Sequence, residues 1–193
     1  MGQRSQIYVS FNNGSRDRIG VITNSGETVL TAVYFQWNYG ERMVSRARGL
    51  VEWLLGNRDY LNYEADKIRK VCEVNFDYKS IMDSTDLVEE AKKYCAKKAD
   101  RNEWIFGADN NDGRFFVKVG NDGKLKYAFT DCDNTAPLTA EQYLEWDCET
   151  VKVSEEDLKK SNFEENCKYI AENAELMTAD ELLAFIDGNY ANV

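Results

Sequence analysis

Residues 27–37, ETVLTAVYFQW, are apolar on both sides when drawn as an extended chain. Val29, Val33, Phe35 and Trp37 share one side, and Leu30, Ala32 and Tyr34 share the other. A strand alternates its side chains between two faces, so a run of this kind needs cover on both. It predicts a central strand. The preceding QIYVSF alternates with Ile7, Val9 and Phe11 on one face, and Ile19 to Thr23 gives a short second strand turned by Asn24-Ser25-Gly26. The head of the chain therefore reads as an antiparallel meander.

The period then changes. In YGERMVSRARGLVEWLL, Met43, Val44, Ala47, Leu50, Val51, Leu54 and Leu55 recur at helical spacing, and Gly56-Asn57 ends the stripe. Further helices are expected over 59–74, with Ile68, Val71 and Cys72 inward, and over 85–99, with Leu87, Val88, Ala91, Tyr94 and Cys95 inward and Ser84 or Thr85 as cap. Strand alternation returns over 103–130, where Phe115, Val117 and Val119 face Leu125, Tyr127 and Phe129 across a Gly120-Asn121-Asp122-Gly123 turn. Thr139 with Gln142 and Thr178 with Glu181 match the capping box, which predicts helix starts near 140 and 179, and Ser154 opens another helix running to about 174. The expected fold is α+β, an antiparallel sheet of N-terminal meander and later hairpin packed with several helices. A single domain over 1–193 is expected, with an acidic helical region from about 139.

Charge is unevenly spread. The net charge of −10 divides into +3 over residues 1–58, −3 over 59–140 and −10 over 141–193. A chain of this sign is not expected to coat nucleic acid; it favours a partner with a basic surface. The chain has no histidine, which removes Ser-His and Cys-His nucleophile pairs and His-containing zinc sites. Catalysis, if present, is left to carboxylates, lysine, tyrosine or an oxygen-bound metal such as Mg²⁺. No catalytic residue, metal or cofactor is assigned, and a protein other than an enzyme is favoured. No apolar run reaches membrane-spanning length and no secretory pattern opens the chain, so a cytoplasmic location is expected. The five cysteines, Cys72, Cys95, Cys132, Cys148 and Cys167, include no CxxC pair and read as reduced thiols.

The densest polar constellation is QWNYGERMVSRAR, residues 36–48. Arg42 and Arg46 are one helical turn apart, flanked by Trp37 and Tyr39 and followed by Trp53. Paired guanidinium groups beside aromatic rings suit a planar anion or a partner surface. The alternative is internal pairing with Glu41 and Glu52, since Arg48 and Glu52 also stand four apart. The C-terminal acids, among them Glu155, Glu156, Asp157, Glu164, Glu165, Glu172, Glu175, Asp180 and Glu181, form either a solvated helix face or an imitation of phosphate spacing that fits a basic groove. Asp131-Cys132-Asp133-Asn134-Thr135 superficially matches the DxDxT loop of haloacid-dehalogenase-type phosphotransferases, but it follows a hairpin strand and reads as a turn. Asp109 to Gly113 resembles a calcium loop, yet with Gly113 in sixth place Ala108 and Val119 fall where ligands are needed.

MGQRSQIYVSF, residues 1–11, and YFQWNYGERMVSRARGLVEWL, residues 34–54, resemble a group of small proteins encoded by phages and prophages of Gram-positive gut bacteria. The resemblance implies a phage context, in which small acidic proteins are often anti-defence factors, anti-CRISPR proteins included. It supports the expectation of an inhibitor that binds a host defence nuclease, or its nucleic-acid channel, without catalysis. Trp37, Tyr39, Arg42, Arg46 and Trp53 would form one contact patch and Glu164, Glu165, Glu172 and Glu175 another. The alternatives are a nucleotide or small-anion binding protein or enzyme using Gln3, Arg4, Arg42 and Arg46, and a phage structural or assembly component.

Overall fold

The computed structural model describes residues 4–16, 22–57, 65–73, 84–109, 111–133, 136–151 and 162–193. Six strands among them form one mixed sheet: β1 (Arg4–Arg16), β2 (Ile22–Gln36), β3 (Ser84–Asp86), β4 (Arg114–Val119), β5 (Leu125–Thr130) and β6 (Glu175–Leu176). Their spatial order is β3-β2-β1-β4-β5-β6. The α+β class holds, but the sheet is not wholly antiparallel. β1 and β2 form one hairpin and β4 and β5 another, and the hairpins join through a parallel pairing of Gln6–Ser10 with Arg114–Lys118. A parallel neighbour needs a long crossover, and the helical middle of the chain supplies it.

The expected three-strand meander is a two-strand hairpin. Asn12 pairs with Thr28 and Gly14 with Asn24, so residue 13 stands opposite residues 25–27 in an irregular step. Asn24-Ser25-Gly26, which reads as a chain reversal, is a bulge: Gly26 at φ 76 absorbs the extra residues and the strand continues.

The two apolar faces of β2 are both used. On one side Ile7, Val9, Val33, Phe35, Phe115, Val117 and Phe129 pack beneath α1 (Gly40–Gly56), α2 (Ala65–Glu73), α5 (Ala140–Val151) and α6 (Phe163–Asn173). On the other, Tyr8, Leu30, Ala32, Phe116 and Ala128 pack beneath α3 (Leu87–Tyr94), α4 (Lys98–Phe106), α7 (Ala179–Ile186) and Tyr190. Strand β3 pairs only with residues 33–35 of β2. Beyond it the C-terminal segment takes over, with Asn192 bonding both backbone groups of Leu30 at 2.7 and 2.9 Å and Ala191 N–H donating to the Thr28 carbonyl.

Local signals behave as their chemistry dictates at α7, where Thr178 and Glu181 complete the capping box, and at α5, where Thr139 and Gln142 bond reciprocally. Three boundaries differ. The cap of α3 is Asp86, whose carboxylate accepts from Val88 and Glu89 N–H, and not Ser84 or Thr85, which lie in β3. The helix ends at Tyr94, and α4 occupies residues up to Phe106 that strand alternation had claimed. Tyr94, expected inward, is 71% exposed because the chain turns the corner directly beneath it. Val71 is only half-buried. The helix expected to start at Ser154, with Glu155, Glu156 and Asp157, lies outside the described residues before Asn162, as does Gln3. Among the described residues no helix is long and apolar enough to cross a membrane.

Candidate interaction surfaces

Strand β2 ends where Trp37 enters the left-handed region at φ 56, and α1 begins at Gly40, itself at φ 49. A left-handed aromatic residue costs about 1–2 kcal/mol, so the corner is held by its surroundings. Ser5 Oγ donates to the Asn38 carbonyl at 2.5 Å, and Arg42 reaches back to the Trp37 carbonyl at 3.4 Å while lying 4.7 Å over the Tyr39 ring. The result throws Trp37 off the sheet face predicted for it, leaving the indole 44% exposed. Tyr39 and Arg42 are half-buried beside it, and Trp53 is half-buried against the core.

Arg46 does not belong to this patch. It is 1% exposed, donates to the Asn38 side-chain oxygen, and its guanidinium lies 5.5 Å from the Phe35 ring centre. The cause is the width of the buried arc of α1, which takes in Gly40, Arg46 and Gly49 as well as the apolar stripe. Helical spacing correctly sets Arg42 and Arg46 on one face, but that face rolls into the sheet within one turn. The expected cluster of exposed guanidinium groups is therefore corrected, since Arg46 is interior and Arg4 is paired with Asp109, while Arg48 makes the internal pair that the alternative reading expected, with Glu52 at 2.7 Å, and stacks on Tyr169 at 4.7 Å. An anion grip by Arg4, Arg42 and Arg46 together has no such geometry.

Near the same corner lie carboxyl groups that sequence reasoning missed. Asp147 is fully buried on α5, and neither of its oxygens makes a hydrogen bond of ordinary geometry. Burial first, then the charges of Asp112 and Glu41, push its carboxyl up from 3.8 to about 7, and the backbone N–H of Gly40 opposes the rise. Asp112 is pushed up to about 6 by burial, although it accepts the Arg4 N–H at 2.6 Å. The Tyr143 hydroxyl donates to the Asp112 carbonyl at 2.6 Å and ties α5 to this loop. The signal was present: Ala140, Tyr143, Leu144 and Asp147 fall at i, i+3, i+4 and i+7, with an acid at the fourth place of an apolar stripe.

The acidic helix α6 runs beside α1, with Cys167 and Ile170 buried and Glu164, Glu165 and Glu172 exposed. Glu172 is 3.8 Å from Lys168 and Glu175 is 3.7 Å from Lys126, which also holds Glu181 at 2.5 Å. Glu164 and Glu165 have no ion pair among the described residues. The four acids are thus at the surface, two of them partly neutralised. The Arg48–Tyr169 contact makes the outer faces of α1 and α6 continuous.

The described residues of the remaining motifs make local contacts and no site. Asp131 accepts the Asp133 N–H at 2.9 Å after β5, and Asp112, in the loop with calcium-like composition, is turned inward. Compared with family models, curated proteins and solved structures, the chain matches none.

Proposed function

We propose that the protein is a non-catalytic anti-defence inhibitor of the anti-CRISPR kind, acting in the host cytoplasm by occupying a basic surface of a defence nuclease. The observation that carries this reading is the outer face of α6. Glu164, Glu165 and Glu172 project into solvent from a helix whose other side is anchored by Cys167 and Ile170. Carboxylates on an anchored helix keep a fixed spacing, so they lose little freedom on binding and present a defined negative field to a lysine- and arginine-lined channel. Residues 141–193 carry a charge of −10, equal to the net charge of the whole chain, which strengthens that field. Trp37, held on a strained backbone and half in water, supplies an apolar anchor at the corner between β2 and α1.

The test is titration of the protein into a purified Cas9-type effector, followed by fluorescence anisotropy at low and at high salt. A complex is expected at low salt, weakened by added salt, and weakened about tenfold or more when Glu164, Glu165 and Glu172 are all changed to Gln. Absence of a complex at low salt removes the proposal.

A further inference from the structure

On the sheet face opposite α6, an open cavity of about 590 Å³ lies between the end of β2, β3, α3 and α4. Its aromatic wall is made by Tyr34, Tyr94 and Trp104, with Tyr94 stacked on Trp104 at 5.8 Å between ring centres and 25° between planes. Among the described residues its charged lining is acidic, made by Glu90, Asp100, Glu103 and Asp109 without a lysine or arginine. Lys93 engages Glu90 at 2.5 Å and Arg4 engages Asp109, whereas Asp100 and Glu103 have no ion pair among the described residues. These two acids stand one turn apart on α4, immediately before Trp104.

The corner that carries the rings is fixed by the chain itself. Cys95 N–H closes α3 on the Ala91 carbonyl at 2.7 Å, and Arg101 clamps the Cys95 and Ala96 carbonyls at 3.0 and 3.3 Å. A largely exposed tyrosine on a rigid corner, stacked on tryptophan and faced by carboxylates, offers a cation a π face and a counter-charge together. A second groove of about 610 Å³ adjoins the first through Thr85 and Glu90 and continues along β3. Its described lining sets Asp66, Asp86, Glu89 and Glu90 against Arg69 and Lys93; Arg69 holds Asp66 at 2.8 Å, Lys93 holds Glu90, Lys92 beside the groove holds Glu89 at 2.9 Å, and Asp86 caps α3. The trough is therefore longer than one side chain and acidic along its described lining, with the carboxylates that lack an ion pair, Asp100 and Glu103, at the aromatic end.

We infer that this trough is a docking site for an arginine-bearing polypeptide segment, whose guanidinium group lies over the Tyr94–Trp104 stack against Asp100 and Glu103 while the neighbouring backbone follows β3. The commitment to a peptide follows from the length of the trough, and the commitment to arginine from the combination of π face and paired carboxylates. The inference rests on the proposed basic protein partner for its biological setting, but the chemistry of the groove is separate from that of α6.

The test uses a fluorescein-labelled peptide carrying spaced arginines and the same peptide with neutral citrulline at each arginine. The full chain is expected to bind the first and not the second. Asp100→Asn with Glu103→Gln should weaken binding about tenfold, and Tyr94→Ser, at a side chain too exposed to endanger folding, about fivefold. The α6 variant with Glu164, Glu165 and Glu172 changed to Gln should bind the peptide as the parent does. Equal binding of both peptides, or groove variants that bind as the parent does, overturns the inference, as does displacement by spermine as effective as by unlabelled peptide. Where these results occur while the nuclease complex still forms, the groove falls and the α6 reading stands; where the arginine peptide binds but no nuclease complex forms, the groove stands and that reading falls.

Discussion

Asp147 makes the stability of this protein fall as the solution becomes less acidic, against the usual trend for carboxylates. Its carboxyl, ordinarily near 3.8, is held at about 7 by burial and by Asp112 and Glu41. The sign follows from proton counting. Below about pH 4 the carboxyl is protonated in both folded and unfolded chains, and its contribution is fully present. Between about 4 and 7 the unfolded chain releases the proton while the folded chain keeps it, so stability declines, and above about 7 the loss is complete. Raising a carboxyl from 3.8 to about 7 sets a ceiling of about 4 kcal/mol, at roughly 1.4 kcal/mol per tenfold change in proton affinity. Asp112 is coupled to the same event and the two do not add, so about 2–4 kcal/mol is expected. Asp147→Asn has nearly the same shape and no charge to bury. Urea titrations of parent and variant from about pH 4 to about pH 8 should show curves that nearly coincide at the acid end and separate up to about pH 7, the variant being the more stable by about 2–4 kcal/mol at about pH 8. A difference between the two that stays constant with pH would refute the reasoning.

Four further outcomes are expected. Arg46→Met should cost about 3 kcal/mol by stranding the Asn38 acceptor in the interior, read as a lower urea midpoint. Gly113→Ala should cost at least about 3 kcal/mol, because its φ of +76 disfavours a side chain and an added Cβ would meet the Thr130 carbonyl and come within 2.9 Å of the Tyr143 ring; thermal melting of the variant checks it. Thr178→Ala should remove about 1 kcal/mol by breaking the capping box of α7, measured the same way. Among Cys72, Cys95, Cys132 and Cys167, the exposed Cys132 should be alkylated first, yet more slowly than a free thiol, because burial and the charges of Asp133 and Asp131 push its thiol up; mass spectrometry of timed iodoacetamide reactions reads this.

The sequence made legible whatever rests on local period or on paired turn and cap residues. β4, β5, their turn, α1 and both capping boxes lie where alternation and short-range hydrogen bonding put them. What escaped it depends on distant chain. That β4 lies parallel to β1 is set by a crossover of about a hundred residues, and no local pattern encodes strand direction. Gly26 illustrates the limit differently: a glycine after Asn-Ser signals a left-handed residue, and a bulge needs one as much as a turn does. At Arg46 residue type and helix position point in opposite directions. Its neighbours Met43, Ala47, Gly49 and Leu50 are all buried, so its place in the arc predicts the interior and only its type predicts water. Asp147 is the same conflict on α5. The Tyr94–Trp104 stack arises where two helices meet at a three-residue break, and periodicity extended the first helix straight through it.

Because the sheet is covered on both sides, α6 belongs to one helical layer and the α3–α4 corner to the other. A flat partner surface touches one layer at a time; a single nuclease molecule engages both only by wrapping around the edge that carries β3 or the end that carries Trp37. Among the described residues the five acids Asp100, Glu103, Glu164, Glu165 and Glu172 share no ion-pair partner, Glu172 alone being paired, with Lys168, so substitutions there should change binding independently, with free-energy effects that add to within about 0.5 kcal/mol. The variant combining Asp100→Asn and Glu103→Gln with the three α6 changes to Gln therefore reports the mode of binding. If both layers are engaged, its loss of affinity equals the product of the separate losses. If the partner uses α6 alone, the groove changes add nothing to nuclease binding while still weakening capture of the arginine peptide about tenfold. A combined loss well below the product, with each set effective alone, would place both groups of acids on a common contact, which two helical layers separated by a six-stranded sheet cannot provide.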